Sequence, residues 1–171
     1  MNNRFFITGM FRSGTTLLAR MLNTHDNIVC ASDPFRPIFN LFRDQIAKEL
    51  DKENIGPYDP LGDYFAKDET DLFNEIQNSN LEKEFSIKEK ENLLNKIKSH
   101  GKPFSPKIIN NLESIKGENF KEVYDDLLKY VPKYYGKRNE KWEGTKEVWT
   151  TEFVSPLANT FPDHKFILVL R

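Results

Sequence analysis

Residues 4–22 read Arg-Phe-Phe-Ile-Thr-Gly-Met-Phe-Arg-Ser-Gly-Thr-Thr-Leu-Leu-Ala-Arg-Met-Leu, and no other stretch constrains the fold as much. Arg4 to Thr8 is a short apolar run of strand type, and Leu17, Leu18, Met21 and Leu22 recur at helical spacing. Gly9 and Gly14 bound the loop between them, so a strand passes directly into a helix N-terminus through a glycine-bounded turn. Such a junction aims successive backbone N–H groups and the positive end of a helix at one point, which makes it an anion site.

The spacing Gly-x4-Gly-Thr-Thr is that of a phosphate-binding P-loop, with Thr15 standing where a nucleoside-triphosphate P-loop has lysine. Without that lysine, magnesium-dependent transfer of a γ-phosphate loses one of its usual parts. Ser13, Thr15 and Thr16 add hydroxyl donors, and Arg12 adds a fixed cation. The loop is therefore expected to hold a phosphate rather than transfer one.

Composition narrows the setting. At 171 residues the chain suits one domain with a substantial core. Lys+Arg 25 against Asp+Glu 26 leaves a formal charge of -1, so no global field argues for nucleic acid or an anionic membrane. Cys30 is the single cysteine, which excludes an internal disulfide framework and fits a reducing, cytoplasmic setting. No apolar stretch approaches the roughly 20 residues of a membrane span, and the first ten residues do not read as a secretion signal.

Further along, Lys165 to Leu170 reads as a second buried parallel strand, Asn27 to Cys30 as a third and Lys141 to Lys146 as a fourth. Phe35, Ile38, Phe39, Phe42 and Ile46 predict a helix over about Pro37 to Leu50. Gly56-Pro57 and Asp59-Pro60-Leu61-Gly62 are turn signals, followed by a short helix at Leu72, Phe73 and Ile76. Ser86 with Glu89 forms a capping box before Leu93, Leu94 and Ile97, and Asn119 with Glu122 repeats the device before a helix ending near Gly136. Ser105-Pro106 opens a helix carrying Ile108, Ile109, Leu112 and Ile115. Asn78 to Lys102, rich in Lys, Glu and Asn, reads as a solvated helical face. The expected architecture is an α/β domain over residues 1–171: a P-loop-like parallel sheet flanked by helices, with a mainly helical insertion or lid over 35–140.

Phe5 to Leu18 resembles the 5′-phosphosulfate-binding loop of the sulfotransferase family, whose members use 3′-phosphoadenosine 5′-phosphosulfate (PAPS). Met10-Phe11 departs from the proline often found before the basic residue. A second segment, Trp142-Glu143-Gly144-Thr145-Lys146, is similar to the family's Gly-x-Lys strand end. Phe161-Pro162-Asp163 leads into a strand ending at Arg171, as the family's Phe-Pro-Asp segment does. A third, Cys30 to Phe35, resembles the stretch where protein-tyrosine and carbohydrate-type members carry an acidic residue.

The resemblance implies that Arg12, Ser13, Gly14, Thr15, Thr16 and Leu17 wrap the 5′-phosphate and that Arg171 meets the 3′-phosphate. In the family a downstream Ser joins that Arg. The chain ends at Arg171, so it is expected to be the N-terminal part of such a domain.

Sulfuryl transfer needs a base for the acceptor proton and cations for the charge that spreads over the sulfate. Asp33 is the candidate base and Lys146 the candidate stabiliser, joined by Arg12, which the resemblance also places near the sulfuryl group, with Glu147 as the alternative base. Each has a plainer reading: Asp33 caps the turn before Pro34, Lys146 is a solvated strand end, and Arg171 a charged terminus. His25, His100 and His164 show no metal spacing, and no metal is expected. His25 is expected to cap or pack after the first helix, and Trp142 and Trp149 to be core or lid aromatics, with a ligand contact open for Trp149.

The expected activity is transfer from PAPS to a hydroxyl or amine of a small-molecule, carbohydrate or peptide acceptor, releasing adenosine 3′,5′-bisphosphate (PAP). The rivals are a degenerate P-loop kinase, which requires ATP and magnesium, and a non-catalytic nucleotide-binding module. Acceptor identity and oligomeric state are not legible in these residues.

Overall fold

Four parallel strands carry the architecture: β1 (Asn3–Gly9), β2 (Ile28–Ser32), β3 (Trp142–Lys146) and β4 (Lys165–Val169), in spatial order β2-β3-β1-β4. The computed structural model describes residues 3–10, 12–51, 70–102, 105–109, 112, 115–136 and 139–170. The turn signals at Gly56-Pro57 and Asp59 to Gly62 lie outside these residues, and so does Arg171.

Seven α-helices accompany the sheet among the described residues. They are α1 (Thr15–Leu22), α2 (Arg36–Glu49), α3 (Thr70–Asn78), α4 (Ile87–Gly101), α5 (Pro106–Ile109), α6 (Phe120–Tyr135) and α7 (Val154–Thr160), the last preceded by a 3-10 turn, Thr151–Phe153.

Alternation along the strands sorts the core into two layers, because successive side chains leave a strand on opposite faces. Phe5 and Ile7 of β1 and Cys30 of β2 pack with Ala19 of α1 on one face. Phe6, Val29 and Ala31 point the other way, into a larger cluster built with α2, α6 and α7. At its centre Phe39 meets Phe153 edge-on, ring centroids 5.0 Å apart, and Phe120 stacks on Phe153 at 5.8 Å. Each such fully buried ring contributes about 1.5–3 kcal/mol over an exposed one.

The caps lie where the residues called for them. Ser86 accepts a hydrogen bond from the Glu89 amide while the Glu89 carboxylate accepts from the Ser86 amide, and Asn119 accepts from the Glu122 amide. Gly136 closes α6.

Two expectations need correction. The strand at 165–170 is not buried on both faces: Ile167 is 37% and Leu168 48% exposed, with β4 at the end of the sheet and, among the described residues, paired only with β1. The helix opened by Pro106 is described over Pro106–Ile109, residues 110, 111, 113 and 114 lie outside the described residues, and Leu112 and Ile115 are buried in the core. β2 also lies later than expected, extending to Ser32, which brings its end next to Asp33.

Parallel pairing aligns the strand ends that matter. Ile7 and Ser32 both register with Lys146, and Gly9 registers with Val169. The loops after β1, β2 and β3 therefore leave the same edge of the sheet, where open α/β sheets bind ligands.

Candidate active site

The loop after β1 folds back onto the sheet. A Cβ on Gly9 would lie 2.5 Å from the Val169 carbonyl oxygen and 2.9 Å from Ser13 Oγ, so only glycine permits this approach. The Ser13 amide donates to the Met10 carbonyl at 3.1 Å, and Gly14, at φ 98°, turns the chain into α1. The first helical bond runs from the Leu18 amide to the Gly14 carbonyl, leaving the amides of Thr15, Thr16 and Leu17 ahead of any intrahelical acceptor.

No side chain caps this end and no acidic residue occupies the first turn. Ser13 Oγ is buried without a hydrogen-bond partner. An orphaned hydroxyl, unpaired amides and the positive end of a helix fit a bound phosphate group.

Asp33 and Lys146 meet beside this loop. The Lys146 ammonium donates to Asp33 Oδ2, Asp33 Oδ1 accepts the Val148 amide at 3.0 Å, and the Asp33 amide donates to the Lys146 carbonyl at 2.6 Å. Lys146 is wholly buried, which overturns the reading of a solvated strand end. Asp33 is not a helix cap either: α2 begins after Phe35, without a side-chain cap, and the Asp33 carboxylate is committed to β3 and the turn after it.

Glu147 lies behind the pair, fully buried. Its Oε1 accepts the Phe35 amide at 2.9 Å, while Oε2 has no partner. Burial, then the charge of Asp33, pushes its carboxyl well above the usual range.

These loops enclose a cavity of about 620 Å³ lined by Arg12, Gly14, Thr15, Thr16, Asp33, Arg36, His100, Lys146, Val148 and Trp149. Five described non-glycine residues have positive φ, and three of them, Arg12 (67°), Asp33 (50°) and Trp149 (59°), line this cavity. Such conformations cost on the order of 1–3 kcal/mol each and concentrate where function requires them. The Arg36 guanidinium sits 4.5 Å over the Trp149 ring, and the Trp149 amide donates to the Gly9 carbonyl at 3.3 Å.

Six of the sequence candidates line this cavity: Arg12, Gly14, Thr15, Thr16, Asp33 and Lys146. Ser13 belongs to the loop beneath it, and the Leu17 side chain is exposed. Trp142 packs half-buried beside α1, away from the cavity lining, and the His25 ring accepts the Asn27 amide at 3.2 Å in the turn before β2.

Besides Val148, two cavity residues carried no signal that sequence reasoning used. Arg36 follows the acidic stretch directly in the chain. His100 comes from the end of α4, and burial, followed by the charge of Arg36, lowers its pKa below the ordinary histidine value.

A parallel sheet with helices on both faces, whose strand-end loops bring the uncapped α1 N-terminus next to the Asp33–Lys146 ion pair, defines a P-loop-like α/β protein. The model of the sulfotransferase family matches residues 4–171, and the chain belongs to that family. Neither the curated proteins nor the solved structures give a match. Among the described residues no helix is long and apolar enough to cross a membrane.

Proposed function

We propose that the protein is a PAPS-dependent sulfotransferase acting on a hydroxyl or amine. The observation that carries this reading is the meeting, around one cavity, of the uncapped α1 N-terminus, Arg12 and the Asp33–Lys146 pair. Arg12 to Leu17 hold the 5′-phosphate of PAPS, and Arg171 is assigned to its 3′-phosphate.

Asp33 accepts the proton of the acceptor as the acceptor oxygen or nitrogen bonds to sulfur and the bond from sulfur to the bridging phosphate oxygen breaks. Protonation of Asp33 frees the Lys146 ammonium to follow the negative charge that grows on the bridging oxygen, with Arg12 on the sulfuryl group. Glu147, fully buried and accepting the Phe35 amide, holds the backbone next to Asp33. The acceptor is a small molecule, carbohydrate or peptide. The single thiol, Cys30, is buried and suits a cytoplasmic setting.

Calorimetric titration with PAP, and separately with ATP and magnesium, tests the donor. Binding of PAP in preference to ATP, weakened at least about tenfold by Arg12→Ala, is expected for a charge-assisted phosphate contact. Preference for ATP, or indifference to Arg12, would sink the reading. Transfer of radiolabelled sulfate from PAPS to a panel of phenols, sugars and tyrosine peptides then identifies the acceptor class.

A further inference from the structure

His100 lies 67 residues from Asp33 in the chain, yet its Nε2 is 3.0 Å from the Asp33 carbonyl oxygen. A carbonyl only accepts, so Nε2 carries the proton and donates. The bond therefore survives whether the ring is neutral or charged. It lands on a residue with an unusual backbone: Asp33 is at φ 50°, a conformation that non-glycine residues hold only when their surroundings over-determine it.

The other restraints on Asp33 come from the neighbouring Ser32, whose hydroxyl donates to Oδ2 at 3.4 Å, and from β3 and the turn that follows. Its amide donates to the Lys146 carbonyl, and its carboxylate accepts from the Lys146 ammonium and the Val148 amide. These fix the amide and the side chain, whereas His100 holds the carbonyl. The end of α4 is also close to this turn: a Cβ on Gly101 would come within 3.6 Å of the Pro34 carbonyl oxygen.

We infer that His100 is a positioning residue for the reaction: by donating to the Asp33 carbonyl it locks the left-handed turn that aims the Asp33 carboxylate at Lys146 and the cavity. It thereby makes the catalytic geometry depend on the docking of α4. The catalytic part of this inference rests on the reading of Asp33 as the base.

The test compares His100→Gln, whose amide keeps a donor, with His100→Leu, which has similar bulk and none. Ligand-free crystal structures come first. In the Leu variant Asp33 is expected to leave positive φ or its carboxylate to part from Lys146, while the Gln variant keeps both. An unchanged Asp33 in the Leu variant overturns the inference, whatever the enzyme does.

Turnover, measured as PAP released from PAPS with a phenol as acceptor, is the second readout. The Leu variant should lose kcat by about 100-fold with little change in KM for PAPS, as expected for a misplaced reacting group. Gln should restore most of that loss, and adding His100→Leu to Asp33→Asn should cost nothing further. Equal losses in Leu and Gln, or full additivity with Asp33→Asn, overturn it. Failure of wild type to bind PAP defeats the donor reading instead, and leaves the structural comparison of the two variants to decide this one.

Discussion

Asp33 and Lys146 hold each other through two bonds, an ion pair between side chains and a hydrogen bond at 2.6 Å from the Asp33 amide to the Lys146 carbonyl. The second bond continues the β2–β3 ladder by one residue, from the Ser32–Lys146 register. The backbone thus delivers the carboxylate to a lysine that is cut off from water. Lys146→Met should remove that partner and destabilise the fold by about 3 kcal/mol, the usual cost of breaking a buried pair from one side. Urea unfolding measures this. Turnover should fall by roughly 100- to 1000-fold with PAP affinity nearly kept, the pattern of lost transition-state stabilisation.

Gly9 and Gly14 bound the same loop for different reasons, and substitution separates them. At Gly9 an added methyl meets the Val169 carbonyl oxygen, part of the sheet backbone, so Gly9→Ala should destabilise by about 1–3 kcal/mol and loosen PAP binding. At Gly14 nothing lies within 4 Å of the new atom, and only the φ of 98° is strained. Gly14→Ala should therefore cost about 1–2 kcal/mol. Denaturant midpoints for the two variants, with calorimetry for PAP, check both.

What was legible in the sequence was what is local to the chain. The β1–loop–α1 unit announces itself by apolar period and glycine placement, and the helix caps by pairs three residues apart. The ion pair joins residues 113 apart. Resemblance named Asp33 and Lys146 separately, but only the parallel register shows that they touch. His100 gives no local signal, because its meaning depends on where α4 ends in space. The Lys165–Val169 run misled in the opposite direction: its apolar content suggested burial on both faces, and strand order, which local pattern does not encode, leaves it at an edge among the described residues.

The Ser86–Glu89 box isolates a purely local term. Ser86 Oγ accepts the Glu89 amide at 3.2 Å, and the Ser86 amide donates to Glu89 at 2.8 Å, a bond that leads the causes lowering the Glu89 carboxyl pKa. Ser86→Ala should cost about 1 kcal/mol in urea unfolding. It should leave PAP binding unchanged, since the box lies at the opposite end of α4 from His100.

Glu152 supplies a pH dependence whose sign is fixed by burial. It is 3% exposed, in the turn before α7, and burial raises its pKa from 4.5 to about 7. Between those values the folded protein keeps a proton that the unfolded chain releases. Its contribution to stability is therefore complete below about pH 4.5 and is lost as pH rises through about 7. Glu152→Gln keeps the shape and removes the titration. The unfolding free energy of this variant relative to wild type should climb with pH across that window, by on the order of 3 kcal/mol. Groups common to both proteins, Glu147 among them, cancel in the difference. Urea titrations of the pair at about pH 4.5, 6 and 8 measure it, and a flat difference would show that Glu152 is ionised in the folded state.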